Sequence, residues 1–142
     1  MAINENAVTD TLTPTTGTLG IVGTVNISSG GSKYQVGGVT TNALAWVNFN
    51  GVTTTTIRSS YNVSSVTRNA TGDYVVNFTN ALSDANYSAV SSCGRNGTGT
   101  GGYLSLVGDR LAPTTTTLQV YTITILATLT DAPYVAVTVF GN

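Results

Sequence analysis

The chain has 142 residues, room for one hydrophobic core or for a core with an arm attached. Charged residues make up only 8%, against about 25% in ordinary domains, so Thr, Ser, Asn and Gly must solubilise the surface; with one Glu, one Lys and two Gln, no long helix is expected. A formal net charge of −1 with five unclustered basic residues removes the electrostatic case for nucleic acid, and the absence of His excludes a Ser-His-Asp triad and His-ligated metal sites.

From Met1 to about Pro14 the chain is polar, with isolated Ile3, Val8 and Leu12, and reads as an arm. Ala-Ile-Asn-Glu-Asn after Met1 has no basic stretch leading into an apolar run, which predicts synthesis in a cytoplasm without entry to the secretory route. Leu19, Ile21, Val25, Ile27, Val36 and Val39 then recur between Gly17, Gly20, Gly23 and Gly30-Gly31, a pattern of very short strands. Aliphatics this scattered do not make their own core, so another chain has to cover them. Residues 1–43 are therefore read as an arm and short shaft, and residues 44–142 as a head.

In the head, Ala45, Val47 and Phe49 fall on one side of a strand and Leu44, Trp46 and Asn48 on the other, with Trp46 expected in the core. Asn50-Gly51 tolerates the positive φ of a type I′ turn, which predicts a hairpin with a strand over Thr53–Arg58. Thr71-Gly72-Asp73 marks a second hairpin, followed by Tyr74, Val76 and Phe78 in half-buried alternation. Gly97 to Gly102 formally match the G-x-G-x-x-G dinucleotide pattern. The following Tyr103–Val107 alternates as a strand, however, and no βαβ unit surrounds it, so the glycines read as an exposed loop.

Thr116–Thr128 alternates Thr with Leu118, Val120, Ile123 and Ile125, and Val135, Val137 and Val139 alternate with Ala136, Thr138 and Phe140 in a strand that can be buried on both faces. The most apolar segment, Leu118–Leu129, is too short and too rich in Thr for membrane insertion. Cys93 has no disulfide partner and is either a small buried hydrophobe or a free thiol. Asp73, Asp84 and Asp131 stand in turn contexts where Asp bonds its own backbone, so no catalytic carboxylate pair is expected, and no cofactor or metal motif is present.

The order WVNFNG, IRSSYNVSSVT, GDYVVNFTNALSDANYS and the closing PYVAVTVFGN resembles the C-terminal, receptor-binding tip domain of bacteriophage tail-fibre proteins. The segment Cys93–Pro113 matches no motif of that family. The resemblance implies a virion fibre protein, made in the host cytoplasm, whose trimeric tip attaches to a host-surface glycan or protein without turnover. The fold expected on these grounds is all-β: an antiparallel β-sandwich, jelly-roll-like head on an extended arm and short β shaft, intertwined as a homotrimer. Trp46, Phe49, Phe78, Val137, Val139 and Phe140 are the candidates for core or trimer contacts, and the arm is the candidate contact with other tail or capsid proteins. For the receptor the candidates are Arg95, Asn96, Tyr103, Asp109 and Arg110, because Arg offers a planar fork while Tyr and Asn stack on and hydrogen-bond sugars. Asp109 has an alternative as a partner of Arg95 or Arg110, or as a turn cap. The alternative for the whole chain is a purely structural virion component, a capsid-decoration or tail-tip fibre without a specific ligand.

Overall fold

Runs of Thr, Val and aromatic residues with a period of two favour strands, because branched and ring side chains pack well on a pleated surface. A computed structural model of the chain describes residues 35–36, 39–40, 42–95, 103–108 and 110–141, and among them are ten strands and no helix. The expected arm and most of the expected shaft, residues 1–34, lie outside the described residues.

The strands β1 (Gln35–Val36) and β2 (Val39–Thr40) form a small antiparallel ladder. After them come β3 (Ala43–Asn50), β4 (Thr56–Tyr61), β5 (Val63–Ala70), β6 (Asp73–Phe78), β7 (Ser88–Gly94), β8 (Tyr103–Val107), β9 (Thr117–Thr124) and β10 (Tyr134–Phe140). These eight make two four-stranded antiparallel sheets, ordered β4-β3-β10-β7 and β5-β6-β9-β8. All ten strands belong to one compact unit, Lys33–Asn142, which takes in the β1–β2 ladder ahead of the expected head.

The two sheets share one core, which makes the unit a β-sandwich. Ala45, Val47 and Phe49 of β3 and Val135, Val137 and Val139 of β10 pack against Tyr74, Val76 and Phe78 of β6 and Leu118 and Val120 of β9. Phe49 meets Tyr74 edge to face across the two sheets, with ring centroids 5.2 Å apart. In β10 the alternation buries one face fully, while Ala136 and Thr138 on the other stay half-exposed and Phe140 is 39% exposed.

Trp46 does not enter this core. Ala45 and Val47 point inward, so the pleat turns Trp46 to the outer face of the first sheet, where it stands opposite Tyr61 and Thr138 and remains 36% exposed. Phe49, Phe78, Val137 and Val139 are core residues, and Phe140 faces outward like Trp46.

β3 and β4 do pair, but not through a two-residue turn. The connection spans residues 51–55, the partner strand starts at Thr56 rather than Thr53, and the positive φ of 57° falls on Thr53. Gly51 is needed for close approach instead: a Cβ there would collide with the Tyr74 hydroxyl and the Ala132 carbonyl oxygen. By contrast the second hairpin turns at Thr71-Gly72, with Gly72 at φ 68° in the left-handed region.

Three substitutions test this packing by thermal or chemical unfolding. Phe49→Ala should cost about 3–5 kcal/mol, as a large-to-small change in a closed core does, and Trp46→Ala less than half as much. Gly51→Ala should destabilise by about 1–3 kcal/mol through overpacking against Tyr74, with no change in the residues of either hairpin ladder by NMR.

Candidate functional site

Of the expected receptor residues, Arg95 and Tyr103 come together and Arg110 stands apart from them. Arg95, just past β7, lies over the Tyr103 ring at 5.1 Å from its centroid, and Arg110, beyond β8, lies over the Tyr121 ring at 5.1 Å. Tyr103 is on the core side of its sheet, packed against the sandwich interior, together with Val107 and its partner Val120. Tyr121 is the neighbour of Val120 in β9, so it faces the opposite way. The two Arg–Tyr stacks therefore occupy opposite faces of the second sheet and do not form one contact. Asn96, Asp109 and residues 97–102, expected from the sequence to form a loop, lie outside the described residues.

A third stack had no signal in the sequence reading. Arg58 is the extra residue at a bulge where β3 and β4 shift register between Asn48 and Phe49, and the bulge aims its side chain outward. Its guanidinium lies 4.6 Å from the centroid of the Tyr134 ring, and it donates to Asn48 Oδ1 (3.2 Å) and to the Pro133 carbonyl (2.6 Å).

Register then builds a trough beside it. Residues directly opposite one another on paired strands share a face. Tyr61, Trp46, Thr138 and Val90 line up across the outer face of the first sheet as one row, and Ser59, Asn48, Ala136 and Ser92 as the next. The first row is a ridge, with Tyr61 57% exposed beside Trp46. The second row is all small or short polar side chains and forms a floor. Beyond the floor Tyr134, 46% exposed, and Arg58 make the opposite wall. Successive rows on one face are two residues apart, about 7 Å along the strand. Where Asn48, Ser92, Gly94, Tyr134 and Ala136 converge, the trough deepens into an open cavity of about 270 Å³. The sequence held half the signal, the outward parity of Trp46 and Asn48; the other half, which strands lie beside β3, needed the pairing of β3 with β10.

The outer face of the second sheet is different in kind. Ser65, Thr67 and Asn77 meet there, and the Asn77 amide donates to Ser65 Oγ (3.1 Å) and Thr67 Oγ1 (3.2 Å); Gln119 Nε2 donates to Asp73 Oδ1 (3.0 Å), while the buried Gln119 Oε1 has no hydrogen-bond partner among the described residues.

Cys93 is half-buried against the core, and burial raises its thiol pKa, which leaves it little thiolate character. Among the described residues no three of His, Cys, Asp and Glu gather as a metal site.

Of the three carboxylates expected to bond their own backbone, Asp84 does so, accepting from the Asn86 N–H, whereas Asp73 accepts from the Gln119 side chain (3.0 Å) and Asp131 bonds distant groups. Arg68 donates from Nε to Oδ1 (3.0 Å) and from Nη2 to Oδ2 (2.8 Å), the Gly72 N–H donates to Oδ1 (2.9 Å), and the Tyr74 hydroxyl lies 2.9 Å from the same oxygen. Desolvation by partial burial pushes the Asp131 carboxyl up; donors from Arg68, Gly72 and Tyr74 outweigh it, and the group titrates below the usual carboxylate range. Burial, in turn, is the chief reason that the Tyr74 phenol is pushed up to about 12.

No family model, no curated protein and no solved structure matches the chain.

Because Asp131 is depressed in the folded state, its contribution to stability is fully present above the unfolded value of about 3.9 and is lost as pH falls through the folded value. Melting temperature should hold above about pH 5 and drop steadily in more acid solution. Asp131→Asn should lower stability at neutral pH by about 1–3 kcal/mol and make the acid limb of the melting curve shallower. An unchanged acid limb in that variant would show that other carboxylates govern acid unfolding.

Proposed function

We propose that this chain is the tip of a bacteriophage fibre, a homotrimer whose β-sandwich heads hold a virion to a glycan or protein on the host surface. The reading rests on the sequence motifs from WVNFNG to PYVAVTVFGN, and the observation that carries it beyond them is the trough. A rigid sheet presents Trp46, Tyr61, Tyr134 and Arg58 to solvent around a small polar floor, the exposed aromatic and Arg chemistry of a recognition surface. On this reading the surface binds its ligand without turnover.

The trimer follows from residues 1–43, whose scattered aliphatics need other chains to cover them, and the same segment supplies the arm that seats the fibre on a tail or capsid protein. The head is an antiparallel β-sandwich whose first and last strands, β3 and β10, pair in the middle of one sheet. Three heads around one axis would add their weak contacts through effective concentration, so modest affinity per chain suffices for a virion.

Light scattering on the purified protein should return about three times the 14.5 kDa chain mass, and fluorescently labelled protein should decorate intact host cells. A monomer at micromolar concentration removes the trimer. A folded trimer that leaves susceptible cells bare makes the protein a structural fibre of the virion instead.

A further inference from the structure

We propose that the trough on the first sheet binds a polysaccharide that carries carboxylates, lying across β4, β3, β10 and β7 with sugar faces on Trp46 and a carboxylate on Arg58. This names the receptor class for the attachment reading and rests on it.

The donors decide the chemistry. A guanidinium has five N–H groups in a fixed fork, and Arg58 commits two, to Asn48 Oδ1 and to the Pro133 carbonyl. Both partners are neutral, so they orient the fork without cancelling its charge, and among the described residues no carboxylate pairs with it. The Asn48 side-chain N–H groups and the Ser92 hydroxyl, which line the same cavity, make no hydrogen bond among the described residues. A positive fork beside uncommitted donors calls for an anionic, oxygen-rich ligand, and Arg holds a planar carboxylate bidentately.

Shape decides the rest. The floor of Ser59, Asn48, Ala136 and Ser92 runs continuously across all four strands, so it suits an extended chain rather than a single small molecule. Trp46 and Tyr61 supply flat, rigid contact area with little side-chain entropy to lose. A second copy of this chain, or another protein face, would enclose the floor dry and leave its donors unpaired, a cost that a hydroxylated sugar avoids.

Trp46 is the only tryptophan in the chain, so its emission reports on the ridge directly. The 142-residue chain is titrated with fragments of alginate, polygalacturonate and polysialate, and with dextran fragments as the neutral control. At least one acidic polymer should change the emission saturably and dextran should not. Arg58→Gln should weaken that binding about tenfold and Arg58→Lys by less, as expected for losing one charge-assisted bidentate contact. Ala136→Phe, which fills the floor from its outer side, should abolish it while melting temperature and light-scattering mass stay at the parent values. The proposal is overturned if none of the three acidic polymers changes the emission, if dextran binds as well as they do, or if Ala136→Phe leaves affinity intact. It also falls if Ala136→Phe splits the assembly, because the face is then a contact between copies. Cell labelling separates the two readings. If Ala136→Phe labels cells as the parent does, the trough falls and attachment stands; if acidic sugar binds but no cell is labelled, the trough stands and attachment falls.

Discussion

One carboxylate closes an end of the sandwich. The connection from β9 to β10 has to leave the second sheet and enter the first, and its backbone becomes buried on the way, with Ala132 wholly inaccessible. Buried backbone groups need partners, and Asp131 organises them. Its oxygens take Arg68 from β5, the N–H of Gly72 at the β5–β6 turn and the Tyr74 hydroxyl, while the Ala132 carbonyl next to it accepts from the Gly51 N–H at 2.9 Å. Two hairpins and one crossing from different sheets thus meet around a single side chain. Arg68 and Asp131 are only partly shielded, so the value of the pair lies less in Coulomb energy than in the number of groups it fixes at once.

That closure sets the trough as well. Pro133 and Tyr134 directly follow Asp131 and Ala132, and they supply the carbonyl and the ring that hold Arg58. Asn62 does a comparable job at the other end. It sits at φ 53°, which Asn tolerates, and its side chain donates to the carbonyls of Leu44 and Asn80 and accepts from the Asn80 N–H at 2.9 Å. The sheet carrying the outer face is therefore pinned near both ends of β3, a rigid support of the kind a binding surface needs if little affinity is to be lost to ordering.

How much of this could be read in the residues divides cleanly by range. Period two is a local property, so the strands over Tyr74–Phe78, Tyr103–Val107 and Val135–Val139 and the glycine turn at Gly72 were legible. Trp46 was misplaced for the same reason that Phe49 was placed correctly: alternation says that two faces exist, and which one is covered depends on the partner sheet. Gly51 carried the right signal for the wrong cause, since its space is taken by Tyr74 from the other sheet and not by its own turn. Asp131 looked like turn punctuation because its partners are separated from it by long stretches of chain. The small floor was invisible, as Ser59, Asn48, Ala136 and Ser92 come from four strands and meet only through register.

Loops are the usual place for recognition because they change without disturbing a core. Under the proposed attachment reading, a sheet face of this chain has a reason to share the task. With few charges anywhere, its polar surface rests on Ser, Thr and Asn, and on the second sheet the Asn77 amide bonds Ser65 and Thr67. On the first sheet the Arg58 bulge engages Asn48 Oδ1, and the Asn48 amide N–H groups make no hydrogen bond among the described residues. The asymmetry is built into the backbone by one extra residue in β4, so it does not depend on a loop adopting a shape. A bulge that both opens the ladder and aims a cation at its gap is a local device that a sheet can carry without losing its core.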